Sequence, residues 1–221
     1  MTRRRFARWR VLVGALCASA CNNNGTQPAR PPTDVVPSGG DRQSWYFNNP
    51  LPTPVSVAVL DAGGLPVSGV VVMWTVTSDA ASGAVNPAQS ITDAYGIAST
   101  NDSVGSSTVQ QVSATVGGLP GPATFSEFAT SPPTSVGVSV TSFVFSPRDT
   151  IVQSGGMVTW TWNSGTTPHN VTFTSGPAPL PANSPDQAGT TTFSSTFAAV
   201  GTYTYHCTLH PQMTGSVRVL H

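Results

Sequence analysis

Apolar and polar residues alternate over short stretches along most of the chain. Val55, Val57 and Val59 fall on one face of an extended segment, with Ser56, Ala58 and Leu60 on the other. Residues 70–76, 109–116 and 123–129 read as further strands, with turn signals at Asp61-Ala62-Gly63-Gly64 and Asp93-Ala94-Tyr95-Gly96. Ser131-Pro132-Pro133-Thr134 interrupts the pattern, because successive prolines cannot extend a sheet. A second β-pattern follows. Phe143 and Phe145 alternate with Ser142 and Val144, and Ile151-Val152 precedes the Gly155-Gly156 turn. Val158, Trp160 and Trp162 share a face, as do Val171 and Phe173; Phe193 and Phe197 lie further on. Tyr203, Tyr205 and Cys207 share a face of the penultimate strand, and Val217 and Val219 of the last. The pattern predicts an all-β chain, with two β-sandwich domains in tandem over residues 41–130 and 131–221. Trp74, Trp160 and Trp162 are expected in the cores.

Composition supports that reading and narrows the function. Gly and Pro number 21 and 20, as turn-rich sandwiches require. The formal net charge of zero conceals an asymmetry, for all nine basic residues are Arg and five of them (Arg3, Arg4, Arg5, Arg8, Arg10) stand in the first ten positions. The remainder carries four Arg against nine acidic residues, a net of −5. A mildly acidic, Lys-free body has no footprint for nucleic acid.

The N-terminus reads as an address. Five Arg precede a short apolar run at 11–16, then come the small residues Ala18, Ser19 and Ala20, the layout of a secretory signal over residues 1–20. The apolar run is too short to span a bilayer. Ala18-Ser19-Ala20-Cys21 resembles a bacterial lipoprotein cleavage box, although Leu usually stands where this chain has Ala18. The resemblance implies cleavage before Cys21 and lipidation of its thiol. Residues 21–40, rich in Asn, Pro, Thr and Gly, are expected to form a lipidated flexible linker. Thr2-Arg3-Arg4-Arg5-Phe6 resembles a twin-arginine export signal, leaving two export routes open. The expected location is the cell envelope, on a periplasmic or cell-surface face, anchored to a membrane by lipid.

The chemistry concentrates near the C-terminus, where Cys207, His210 and Met213 form Cys-x-x-His-x-x-Met. With four His and four Met in 221 residues, a given Cys meets both partners by chance about once in 3,000. A strand can deliver Cys207 inward, and a tight loop can turn His210 and Met213 toward the same point. Thiolate, imidazole and thioether form a soft, mixed set; two His and one Cys with a weak axial Met is the blue-copper arrangement. Zinc usually recruits more Cys, His or carboxylates rather than Met. A second imidazole must come from His169, at the start of a strand after a Gly/Thr loop, or from the terminal His221, which is expected to fray. His206, adjacent to Cys207, is sent to the opposite face by strand alternation. With Cys17 in the signal and Cys21 as the anchor, Cys207 has no disulfide partner, and metal ligation accounts for an unpaired thiol in an exported protein.

Two resemblances follow from these residues. Val59-Leu60-Asp61, Gly64-Leu65-Pro66-Val67, Val72-Met73-Trp74-Thr75-Val76, Thr92-Asp93-Ala94-Tyr95-Gly96-Ile97-Ala98 and residues 112–119 resemble bacterial immunoglobulin-like domains of surface proteins. That implies a spacer; with no His and no Cys in it, no metal chemistry is expected there. Phe143-x-Phe145-x-Pro147, Gly155-Gly156-Met157-Val158-Thr159-Trp160, Pro168-His169-Asn170-Val171 and Gly201-x-Tyr203-x-Tyr205-His206-Cys207-x-x-His210-x-x-Met213 resemble the cupredoxins, nearest the amicyanin/plastocyanin group. This resemblance implies a Greek-key domain with one copper ion on His169, Cys207, His210 and Met213. It also implies that Asn170, with Thr208, supports the site, Asn170 tying the two ligand loops by hydrogen bonds. Leu209 departs from amicyanin-like loops, which often carry Pro there.

The expected function is one-electron shuttling between redox proteins of the envelope, met through the His210 edge with apolar contact from Leu209 and Pro211. Four protein ligands leave no open metal position for Lewis-acid catalysis, so an enzyme is not expected. Two other readings stand beside it: copper storage or delivery in the envelope, and a surface structural protein with copper as a staple.

Overall fold

The computed structural model describes residues 30–78 and 83–221. The expected signal and lipidated Cys21 lie outside the described residues, within which there is no helix. The first half comprises β1 (Asp34–Gly39), β2 (Ser44–Tyr46), β3 (Val55–Leu60), β4 (Val71–Val76), β5 (Gly83–Asn86), β6 (Gln89–Ile91), β7 (Ile97–Val104), β8 (Val109–Val116) and β9 (Ala123–Thr130). They form two sheets, ordered β1-β3-β7-β5 and β2-β9-β8-β4-β6. Strand alternation works as the valine pattern predicts. Val55, Val57 and Val59 are fully buried, and they pack with Val72, Trp74, Val112, Ala114 and Phe125. One boundary differs from expectation: residues 34–39, placed within the flexible linker, form β1. Antiparallel pairing with β3 and burial of Val35 in the core recruit them.

The second half comprises β10 (Ser135–Thr141), β11 (Val144–Ser146), β12 (Asp149–Gln153), β13 (Gly156–Trp162), β14 (Thr172–Ser175), β15 (Thr192–Phe197), β16 (Gly201–Cys207) and β17 (His210–Leu220). Its sheets run β11-β10-β13-β15 and β12-β17-β16-β14. Pairing mixes directions: β10 lies parallel to β13 and β12 parallel to β17, while β16 and β17 form an antiparallel hairpin. The core between them is aromatic. Trp160 meets Tyr205 at 5.3 Å and Phe173 at 6.0 Å between ring centroids, both edge to face. Val158, Trp162, Phe197, Tyr203, Val217 and Val219 complete it. Burial pushes the Tyr205 hydroxyl up to about 12, so it stays protonated.

Phe143 overturns a local expectation. Read as a strand residue alternating with Val144, it instead sits in the turn between β10 and β11 with φ 65°. The left-handed backbone breaks the alternation, so Phe145 is buried while Phe143 stands 58% exposed.

Candidate metal centre

Three donor atoms converge at one end of the second sandwich. Cys207 is the last residue of β16, where a register shift between His206 and Cys207 closes the hairpin over the two-residue turn Thr208-Leu209. His210 opens β17, so the His and Met expected in a loop lie on a strand instead. Three residues on, Met213 is 3% exposed and packs in the aromatic core. His169 comes from the connection between β13 and β14. Its backbone exchanges hydrogen bonds with Gln187, each 2.9 Å, and the buried indole N–H of Trp162 donates to its carbonyl at 3.1 Å.

The ligand atoms of His169, Cys207 and His210 lie within 4.8 Å of one another. Nδ1 of His169 and Nδ1 of His210 are 3.0 Å apart, and Cys207 Sγ lies 3.8 and 3.6 Å from them. The circle through three atoms so separated has a radius of about 2.0 Å, close to the metal–nitrogen and metal–sulfur bond lengths of a first-row ion. His169 and Cys207 are fully buried, whereas His210 is half-buried. Burial and the neighbouring His210 hold the His169 imidazole below its ordinary pKa, so near neutral pH the ring is uncharged and can offer Nδ1 to a cation. Two nitrogens and a sulfur, with a buried thioether three residues beyond His210 on β17, are a donor set that fits copper in both oxidation states.

Asn170 braces this arrangement. Its Nδ2 donates to Asp186 Oδ1 at 2.7 Å and to Thr208 Oγ1 at 2.6 Å. Its Oδ1 accepts from the Thr208 backbone N–H at 2.9 Å, and its own backbone N–H points at Cys207 Sγ, 3.4 Å away. The side chain thus joins the His169 connection to the Cys207–His210 turn. Asn170→Ala removes the bridge and strands the Thr208 amide; we expect a loss of about 2 kcal/mol in chemical denaturation and a broadened copper absorption band.

His206 lies on the other face, opposite Thr172 and Thr214 in the two ladders, and takes no part in the donor cluster. Four residues support the site without having been assigned to it from sequence: Phe143 and Trp162, read as strand and core residues, and Asp186 and Gln187. Phe143 stands edge-on to His210, ring centroids 4.6 Å apart and planes at 90°, and to His169 at 5.9 Å. Its strained backbone is the kind of local cost that gathers at functional sites. Nothing in a linear motif marks Asp186 or Gln187.

Comparison with known proteins points the same way. Residues 133–220 match the family of copper binding proteins described as plastocyanin/azurin. Amicyanin-alpha of Methylorubrum extorquens is 39% identical over 89 residues, covering 40% of this chain and 74% of that protein. Amicyanin of Paracoccus denitrificans is 37% identical over 83 residues, covering 37% of this chain and 63% of that protein. Among solved structures, a reduced amicyanin variant shares 34% identity, covering 39% of this chain and 82% of that chain, with a TM-score of 0.35.

Proposed function

Since the chain belongs, through residues 133–220, to the plastocyanin/azurin family of copper binding proteins, we propose that it carries single electrons between redox proteins of the cell envelope. One copper ion is its cofactor, and His169, Cys207, His210 and Met213 are its ligands. The observation behind this reading is the convergence of one thiol and two imidazoles within 4.8 Å. Bound copper supplies one-electron chemistry by alternating between Cu(II) and Cu(I). The chain's own residues do the rest. Buried His169 and Cys207 keep bulk water from the donors. The Asn170 and Gln187 hydrogen bonds hold those donors in one geometry, so a change of charge requires little rearrangement. His210 alone among the three donors reaches solvent and is the port for the electron.

Exposed Phe143, Val144 and Leu209 supply apolar surface on this domain, Phe143 directly against His210. Such a patch suits transient redox encounters, which bury less than about 1,200 Å². A charge there should obstruct docking without touching the ligands. Leu209→Glu is expected to slow electron exchange with an apolar-faced redox protein about tenfold, equivalent to about 1.4 kcal/mol of lost contact, with the absorption spectrum unchanged in stopped-flow measurements.

The remaining parts fit a carrier on a tether rather than an enzyme. A lipid on Cys21 would hold the chain at the membrane, and the first sandwich, immunoglobulin-like in sequence, would act as a spacer. The test is spectroscopic. The purified protein with Cu(II) should turn blue, absorbing near ~600 nm, bleach with ascorbate and recover with an oxidant. A colourless, weakly held Cu(I) form would favour copper delivery. A coloured site that never exchanges electrons with other proteins would favour the structural staple.

A further inference from the structure

The first sandwich buries polar side chains where its strand pattern calls for apolar ones. Asp102 occupies an inward position of β7 between Thr100 and Val104, Gln110 precedes Val112 on the inward face of β8, and Glu127 lies between Phe125 and Ala129 on that of β9. Gln110 and Glu127 are direct partners in the β8–β9 ladder. Asp102 reaches in from the opposite sheet and acts electrostatically on Glu127, so the three share one layer of the core. Asp102 is 1% exposed and the other two not at all. Both Asp102 carboxyl oxygens, Glu127 Oε1 and both amide atoms of Gln110 have no hydrogen-bond partner among the described residues. Glu127 Oε2 is satisfied by the Gln43 backbone N–H at 2.7 Å.

Two carboxylates in an apolar layer need a compensating positive charge. The sequence has no lysine. Of the four arginines among the described residues, Arg42 lies beside Asp41, Arg148 donates to Thr214 and Arg218 stacks over Trp45, and none of the four, Arg30 included, figures among the charges acting on either carboxyl. Among the described residues, the charged groups that act on Glu127 are Asp102 and Asp41, both negative. Protonation alone would leave acids and amide free to bond one another, and none of their orphaned atoms does so.

We propose that this layer binds a divalent cation of the calcium class, through the carboxylates of Asp102 and Glu127 and the carboxamide oxygen of Gln110. Hard oxygen donors match such an ion, and two carboxylates balance its charge. Ca²⁺ tolerates irregular geometry and mixed carboxylate and carbonyl ligands, whereas Mg²⁺ demands a near-octahedral shell and gives up water reluctantly.

The experiment uses the full-length, copper-loaded protein, freed of calcium by dialysis, with CaCl2 as the probe. At pH 8 and about 5 mM CaCl2, above the range of weak extracellular calcium modules, the Tm is expected to rise by several degrees. MgCl2 should do less, and the calcium effect should fade toward pH 5 as protons occupy the carboxyls. The blue colour, which reports the second sandwich, should not change. Asp102→Asn with Glu127→Gln should stay blue and lose the calcium response; Asp102→Asn alone serves if the pair does not fold. Calorimetric titration of the unsubstituted protein showing neither heat nor a Tm shift at pH 8 overturns the proposal. So does an undiminished calcium response in the substituted protein, which would place the ion elsewhere.

Discussion

Cys207→Ser is expected to abolish the blue colour of the copper-loaded protein while leaving it folded. The absorption near ~600 nm belongs to the thiolate–copper bond, and a serine hydroxyl keeps its proton and is a poor, hard ligand for Cu(I). The substitution is nearly isosteric. Sγ is fully buried, and its one backbone approach, from the Asn170 N–H at 3.4 Å, can be made to oxygen as well. A folded, colourless protein is therefore the expected result, checked by visible absorption beside far-ultraviolet circular dichroism. His206→Ala supplies the control. That residue adjoins Cys207 in sequence, but it is half-buried on the opposite face and absent from the donor cluster, so the colour should persist. Colour that survives Cys207→Ser and disappears in His206→Ala would assign the ligands wrongly.

That contrast shows which parts of the site a sequence can carry. The three-residue steps from Cys207 to His210 to Met213 are local, and strand alternation is local, so the inward Cys207 and outward His206 follow from spacing alone. The buried valines of β3 and the aromatics of β13 and β16 follow in the same way. What escaped depends on long-range closure. Asp186 and Gln187 meet the His169 connection from 16 and 18 residues along the chain, through one side-chain bond and one bridge. Phe143 needs a single left-handed residue to leave its expected face. Strand β7 has no apolar alternation over Thr100, Asn101, Asp102 and Ser103 to mark it; only its pairing with β3 and β5 reveals which of them point inward. The first sandwich was accordingly expected to have no metal chemistry, on the sound observation that it has no His or Cys. Carboxylates become informative there only once their burial is known.

Burial of that pair also sets the sign of a pH effect. Without divalent cations, desolvation raises Asp102 from its ordinary 3.8 to about 6. Glu127 rises from 4.5 to about 7, chiefly by desolvation, with the backbone hydrogen bond from Gln43 opposing and the charges of Asp102 and Asp41 adding. A carboxyl whose pKa is higher in the folded state binds its proton more tightly there, so folding is most favoured below the unfolded pKa, near pH 4. Stability then declines as the pH rises through the folded values, and levels off above about pH 8. At 1.36 kcal/mol per pH unit between folded and unfolded pKa, each carboxyl taken alone accounts for about 3 kcal/mol. Every other titrating group is common to wild type and variant, so their difference isolates the acids. Urea denaturation of calcium-free protein at pH 4.5 and pH 8 should show the wild type losing several kcal/mol relative to Asp102→Asn with Glu127→Gln, the variant being the more stable at pH 8. Parallel pH profiles would mean that neither carboxyl is desolvated in solution. A wild-type advantage that grows with pH would mean that a positive charge already compensates both.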